Sequence, residues 1–178
     1  MQHSVVFAGF GGQGLLFAGQ ILARAAVKDG LEVFWIPSYG PEMRGGTAYC
    51  TVVISDRPIG SPIISNPQAL VVLNRPSLEK FGPRVRAGGT IIVNSSLIDI
   101  TSGRTDVDEL LVPANEIAIR HGSPRSTNMA MLGAFVGRCG VVGMEMLTQV
   151  VCERFSGKVA EINLGVMREG FRLARGEN

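Results

Sequence analysis

Apolar positions change their period several times along the chain, and each change marks an element. Val5-Val6-Phe7-Ala8 is a continuous apolar run, as in a strand covered on both faces. A glycine-rich stretch follows, and then Leu15, Ala18, Leu22, Ala25 and Ala26 share one helical face with Gln20, Arg24 and Lys28 opposite. That pattern predicts a helix over 14–28, ended by Gly30. Val33-Phe34-Trp35-Ile36 and the run 47–54 are β-branched and aromatic, bounded by Gly or Pro, and read as strands. Between them, residues 37–46 have the Pro and Gly content of an ordered loop.

Two further short apolar runs, Ala69 to Leu73 and Thr90 to Val93, predict strands of a parallel sheet, with a short helix at 77–81 between them. Leu110-Leu111-Val112 predicts a last strand, and 115–120 a short helix. Helices are expected at 127–138, 144–155 and 158–175, the last burying Val159, Ile162, Val166 and Leu173, with Ser156 as its cap. Gly133 and Gly137, four residues apart, would let another backbone pack closely. Strands early and helices late predict an α/β fold: a Rossmann-like three-layer sandwich whose mostly parallel sheet is covered by helices on both faces.

Size and charge narrow the picture. The 178 residues, 46% apolar, suit one domain over 1–178. A net charge of +2 with both signs interspersed lacks the footprint of a nucleic-acid or membrane-surface protein. Three cysteines without a CxxC pair suggest reduced thiols and no zinc or four-thiolate cluster within the chain. The start has no basic n-region, and the apolar stretch 129–147 is broken by Arg138 and Glu145, so a soluble, cytoplasmic protein is expected.

The chemistry concentrates at Gly9-Phe10-Gly11-Gly12-Gln13-Gly14, which joins the first strand to the first helix. This is the layout of a turn that cradles an anion on backbone N–H groups at a helix N-terminus. A dinucleotide site would also need an acidic residue at the end of the second strand. Glu32 lies at its start, and the strand ends in Ile36-Pro37-Ser38. Another anionic ligand is therefore favoured over NAD, with the Gln13 amide beside the loop. Strand ends at Ser38-Tyr39, Asn74-Arg75 and Asn94-Ser95-Ser96 add polar groups at the same edge, and Arg44, Arg75 and Arg125 are candidate phosphate partners. Catalytic groups are lacking. His3 precedes the first strand and reads as a surface residue, His121 closes a short helix, and Cys50 reads as a buried structural thiol.

Four segments in order, Gly9 to Gly14, Tyr39-Gly40-Pro41-Glu42-Met43-Arg44-Gly45-Gly46, Ile54-Ser55-Asp56 with Ile59-Gly60-Ser61-Pro62, and Thr127-Asn128-Met129-Ala130-Met131-Leu132-Gly133-Ala134, resemble the gamma subunit of the 2-oxoacid:ferredoxin oxidoreductases. The resemblance runs from about residue 4 to 175 and implies a heteromeric enzyme that converts a 2-oxoacid and coenzyme A to acyl-CoA and carbon dioxide while reducing ferredoxin. It implies thiamine diphosphate, magnesium and iron–sulfur clusters on alpha, beta and delta partner subunits, and no cofactor or catalytic residue in this chain alone. Coenzyme A binding is carried over onto Gly11, Gly12, Gln13, Gly14, Arg44 and Gly45, with closure of the site as the second role.

The compact form looks most like the 2-oxoglutarate enzyme, with pyruvate and branched-chain versions close behind. Pro67-Gln68 stands where the family often has Pro-Asp. An independent dinucleotide-binding oxidoreductase remains the alternative. A partner-facing apolar surface is expected on the helices carrying Gly133 and Met144, and would support a homodimer of the isolated chain.

Overall fold

A computed structural model describes residues 1–39 and 47–177. Its order is β1 (Gln2–Phe10), α1 (Leu15–Lys28), β2 (Glu32–Tyr39), β3 (Thr47–Ser55), β4 (Ala69–Val72), α2 (Arg75–Phe81), β5 (Thr90–Asn94), β6 (Asp108–Val112), α3 (Ala114–Arg120), α4 (Thr127–Cys139), α5 (Met144–Arg154) and α6 (Gly157–Arg175). Short 3-10 turns occupy 82–84 and 124–126.

The strands form one sheet in the order β2-β3-β1-β4-β5-β6. β1, β4, β5 and β6 run parallel, while β3 is antiparallel to both β1 and β2. Val5 pairs with Val52 on one side and Ala69 on the other, so β1 lies at the centre. The insertion of β3 moves β2 one strand further from β1 than in a dinucleotide-binding βαβ unit.

Pleating splits the apolar strand residues between two cores. Val5 and Phe7 join Val52, Ile54, Val71 and Ile92 under α1, α3, α4, α5 and α6. Val6 and Ala8 join Leu70, Val72, Ile91 and Val93 under Leu78 and Phe81 of α2, with Val85 and Ile98. The second layer is thin and stops short of β2, where Phe34 and Ile36 stay 43% and 36% exposed.

α4 is the central helix, and residues 128 to 136 are buried without interruption. Its glycines serve as expected, because a Cβ on Gly133 would collide with the Met167 carbonyl and one on Gly137 would lie 2.6 Å from the Phe171 carbonyl. Gly170 of α6 returns the contact against Ala130. This seam corrects the expected stripe on α6: Ala160, Asn163, Val166, Met167, Gly170 and Ala174 are buried, while Val159 is 54% exposed. Backbones in close approach accept small residues, so the buried line runs along them rather than along the largest apolar side chains. Ser156 stands at the N-cap without a side-chain hydrogen bond.

Two other expectations change. α4 is interior and α5 turns Leu147, Val150 and Val151 inward, so neither offers the expected apolar outer face. His3 is half-buried, its ring centroid 5.9 Å from that of Phe135, because β1 turns its side chain toward α4. Among the described residues, no helix is long and apolar enough to cross a membrane.

Candidate functional site

The chain leaves β1 through α1 on one face of the sheet and leaves the adjacent parallel β4 through α2 on the other. This reversal opens a crevice beyond the carboxyl ends of the two strands, where ligands of open α/β sheets bind. A cleft of about 350 Å³ lies there. Gly12 and Gln13 line one wall, Leu73 the floor, and Asn115, Arg125 and Thr127 the opposite wall.

The glycine loop folds as its residues demand. Gly9 has no room for a Cβ, which would meet Gln13 Oε1, Leu15 and, at 3.1 Å, Leu73. Gly12 and Gly14 have φ of +91° and +74°, a region that side chains disfavour. α1 has no side-chain cap and no acidic residue in its first turn, so its leading N–H groups face the crevice side unneutralised. Gln13 works differently from expectation. Its Oε1 accepts from the Phe10 N–H at 2.6 Å and its Nε2 donates to the Leu73 carbonyl at 3.3 Å. The amide thus clamps the loop to β4 and retains one hydrogen for a ligand.

The three arginines separate. Arg125 lines the cleft, and among the described residues no carboxylate pairs with it. Arg75 instead engages Glu79 at 2.9 Å and Asp99 at 3.8 Å. Arg44 and Gly45 lie outside the described residues. The polar strand ends are largely occupied by the scaffold. Asn74 Oδ1 accepts from the Ser77 N–H at 2.9 Å to cap α2, leaving its Nδ2 buried without a partner among the described residues. Asn94 Nδ2 donates to Asn115 Oδ1 at 3.0 Å, and Ser96 Oγ accepts from the Asn115 N–H at 3.0 Å. Those bonds hold the start of α3 and place Asn115 in the wall. Ser38 and Tyr39 end β2, two strands away from β1.

The cleft lining offers donors and one cation but no carboxylate, imidazole or thiol among the described residues. The candidates named from sequence are elsewhere. Burial, with Arg86 nearby, lowers His3 to about 4. His121 Nε2 meets Glu169 Oε2 at 2.6 Å, beside Arg120. Burial pushes the Cys50 thiol up to about 12, which leaves it protonated and inert. Nor do the described residues contain a group of three or more His, Cys, Asp or Glu side chains placed to hold a metal ion.

Asn115 and Leu73 are not legible as site residues in the sequence, because their roles arise from long-range packing, and Thr127 is legible only as the first residue of a motif. Asn128 was visible only as part of a motif. Its Nδ2 donates to the Gly14 carbonyl at 3.0 Å across 114 positions of chain. The first and last of the four quoted segments therefore meet at the cleft, whereas Ile54-Ser55-Asp56 ends β3 at the opposite sheet edge. Residues 4–173 match the family described as pyruvate ferredoxin/flavodoxin oxidoreductase.

The chain belongs to this family. It is 42% identical over 175 residues to the ketoisovalerate oxidoreductase subunit VorA of Methanothermobacter marburgensis, covering 96% of this chain but 36% of that protein. It thus spans about a third of the length of that curated relative. Against the 2-oxoglutarate synthase subunit KorC of Methanocaldococcus jannaschii, identity is 33% over 178 residues, covering 98% of this chain and 95% of that one. The solved gamma subunit of a keto/oxoacid ferredoxin oxidoreductase from Geobacter sulfurreducens PCA superposes with a TM-score of 0.86 at 31% identity, covering 98% and 99% of the two chains. The fold is therefore shared from end to end with that solved gamma subunit.

Proposed function

We propose that this chain is the gamma subunit of a 2-oxoacid:ferredoxin oxidoreductase and that its cleft holds the phosphate-bearing part of coenzyme A. The carrying observation is the cleft at the β1/β4 reversal, which joins an uncapped helix N-terminus to Arg125 and is lined, among the described residues, by no acid or base. Such a lining suits an anionic ligand and gives a reaction nothing to work with. Gly11, Gly12 and Gly14 present N–H groups to the phosphate, Gln13 offers the free hydrogen of its side-chain amide because its own N–H is held by the Phe10 carbonyl at 3.3 Å, and Arg125 opposes them. Arg44 and Gly45 join them by resemblance.

Thiamine diphosphate with magnesium, held by alpha and beta subunits, would supply the decarboxylation chemistry, and iron–sulfur clusters of the beta or a delta subunit would take the electrons to ferredoxin. This chain binds and orients the acyl acceptor and closes the site against water. We place the complex in the cytoplasm, with its substrates. The resemblance favours 2-oxoglutarate as the oxidised acid, whereas the 42% identity with the ketoisovalerate subunit favours a branched-chain 2-oxoacid. Assay of the purified complex with 2-oxoglutarate, 2-oxoisovalerate and pyruvate decides between them.

Gly12→Asp tests the coenzyme A role. Asp tolerates a positive φ better than most residues and places a carboxylate where a phosphate should bind. In the assembled complex it should raise the KM for coenzyme A about tenfold or more, with the 2-oxoacid KM unmoved. An unchanged coenzyme A KM would refute the role.

A further inference from the structure

The two walls of the cleft belong to different parts of the fold. Arg125 and Thr127 lead into α4, which is locked to α6 through Gly133, Gly137 and Gly170. Buried polar contacts hold the same turn, since Ser126 Oγ donates to Asn163 Oδ1 at 2.9 Å and Asn163 Nδ2 donates to the Val159 carbonyl at 2.9 Å. The facing wall is the glycine loop, which Gln13 ties to β1 and β4 on its other side.

Asn128 joins them. The residue is 7% exposed, and its Nδ2 donates to the Gly14 carbonyl at 3.0 Å. That carbonyl also accepts the first α1 bond, from the Ala18 N–H at 3.0 Å. A Cβ on residue 14 would lie 2.6 Å from Asn128 Nδ2 and 3.0 Å from its Cγ. The amide therefore fills the space that the missing side chain leaves, and glycine is required at 14 both for φ and for this approach. Among the described residues, this is the hydrogen bond between the glycine loop and α4.

We propose that Asn128 is a positioning residue, whose bond to Gly14 sets the glycine loop at the separation from Arg125 at which an anionic group is gripped from both walls. The proposal rests on the coenzyme A reading of the cleft. It assigns Asn128 no contact with ligand; the residue acts through the loop.

The test uses the assembled complex with coenzyme A as the varied substrate. Asn128→Asp keeps the shape, removes the donor and sets an oxygen against the Gly14 carbonyl. It should raise the KM for coenzyme A roughly tenfold while kcat and the 2-oxoacid KM stay within about twofold. Asn128→Ala should raise it by about fivefold, and carries the test if the aspartate variant does not assemble. A coenzyme A KM at the wild-type value in a variant that assembles, with Gly12→Asp still impaired, overturns the proposal alone. So does a parallel change in kcat and both KM values, which would mark a merely structural role. If Gly12→Asp also leaves the coenzyme A KM unmoved, the reading of the cleft fails and the proposal with it.

Discussion

Gln13 bridges the two strands that bound the crevice: its Nε2 reaches the Leu73 carbonyl at 3.3 Å while its Oε1 takes the Phe10 N–H at 2.6 Å. One side chain thereby ties β1, the glycine loop and β4 at the point where the chain reverses its layer. Gln13→Glu retains the acceptor, loses the donor and adds a negative charge beside the anion seat. It should destabilise the protein by about 1 kcal/mol and weaken coenzyme A binding by about tenfold, checked by urea denaturation and by coenzyme A titration of the complex.

Arg125 and Arg75 sit near the same sheet edge but differ in pairing, since Arg75 already holds Glu79 and Asp99. Arg125→Ala should lower coenzyme A affinity by about tenfold and flatten its salt dependence, whereas Arg75→Ala should leave both within about twofold. Titrations at two ionic strengths distinguish the pair.

Sequence alone made the central architecture legible because periodicity reports burial directly. Every residue assigned to the inner face of α1, from Leu15 to Ala26, is buried. The direction of β3 was not legible, since an apolar strand has the same pattern whichever way it runs. The α6 stripe misled because a close helix seam buries glycine and alanine and leaves Val159 outside. The glycine loop announced itself by composition. Asn115 and Asn128 did not, because their partners lie 21 and 114 positions away.

Gly133 and Gly12 should differ in how much alanine costs. A Cβ at Gly133 strikes the Met167 backbone, which cannot give way, so Gly133→Ala should cost about 3 kcal/mol or prevent folding. At Gly12 no described residue lies within 4 Å of an added Cβ and the φ of +91° resists, so Gly12→Ala should cost about 1 kcal/mol. Denaturant midpoints measure both.

His3 should make the fold acid-sensitive. Burial against Phe135, with Arg86 nearby, lowers its pKa from 6.5 to about 4. Between those values the unfolded chain binds a proton that the folded chain does not, so stability is fully present above pH 6.5 and falls as pH drops toward 4. The loss is at most about 3 kcal/mol. Stability curves from pH 7 to 4.5 should be flatter for His3→Gln than for the wild-type chain.

The most direct test is to tag this chain in its own cells, purify it without oxygen, and identify and assay what accompanies it. The gamma-subunit assignment predicts recovery of thiamine-binding and iron–sulfur subunits, and ferredoxin reduction that requires both a 2-oxoacid and coenzyme A. Recovery of the chain alone, with saturable binding of NADH and none of coenzyme A, would contradict it and favour an independent dinucleotide-binding protein.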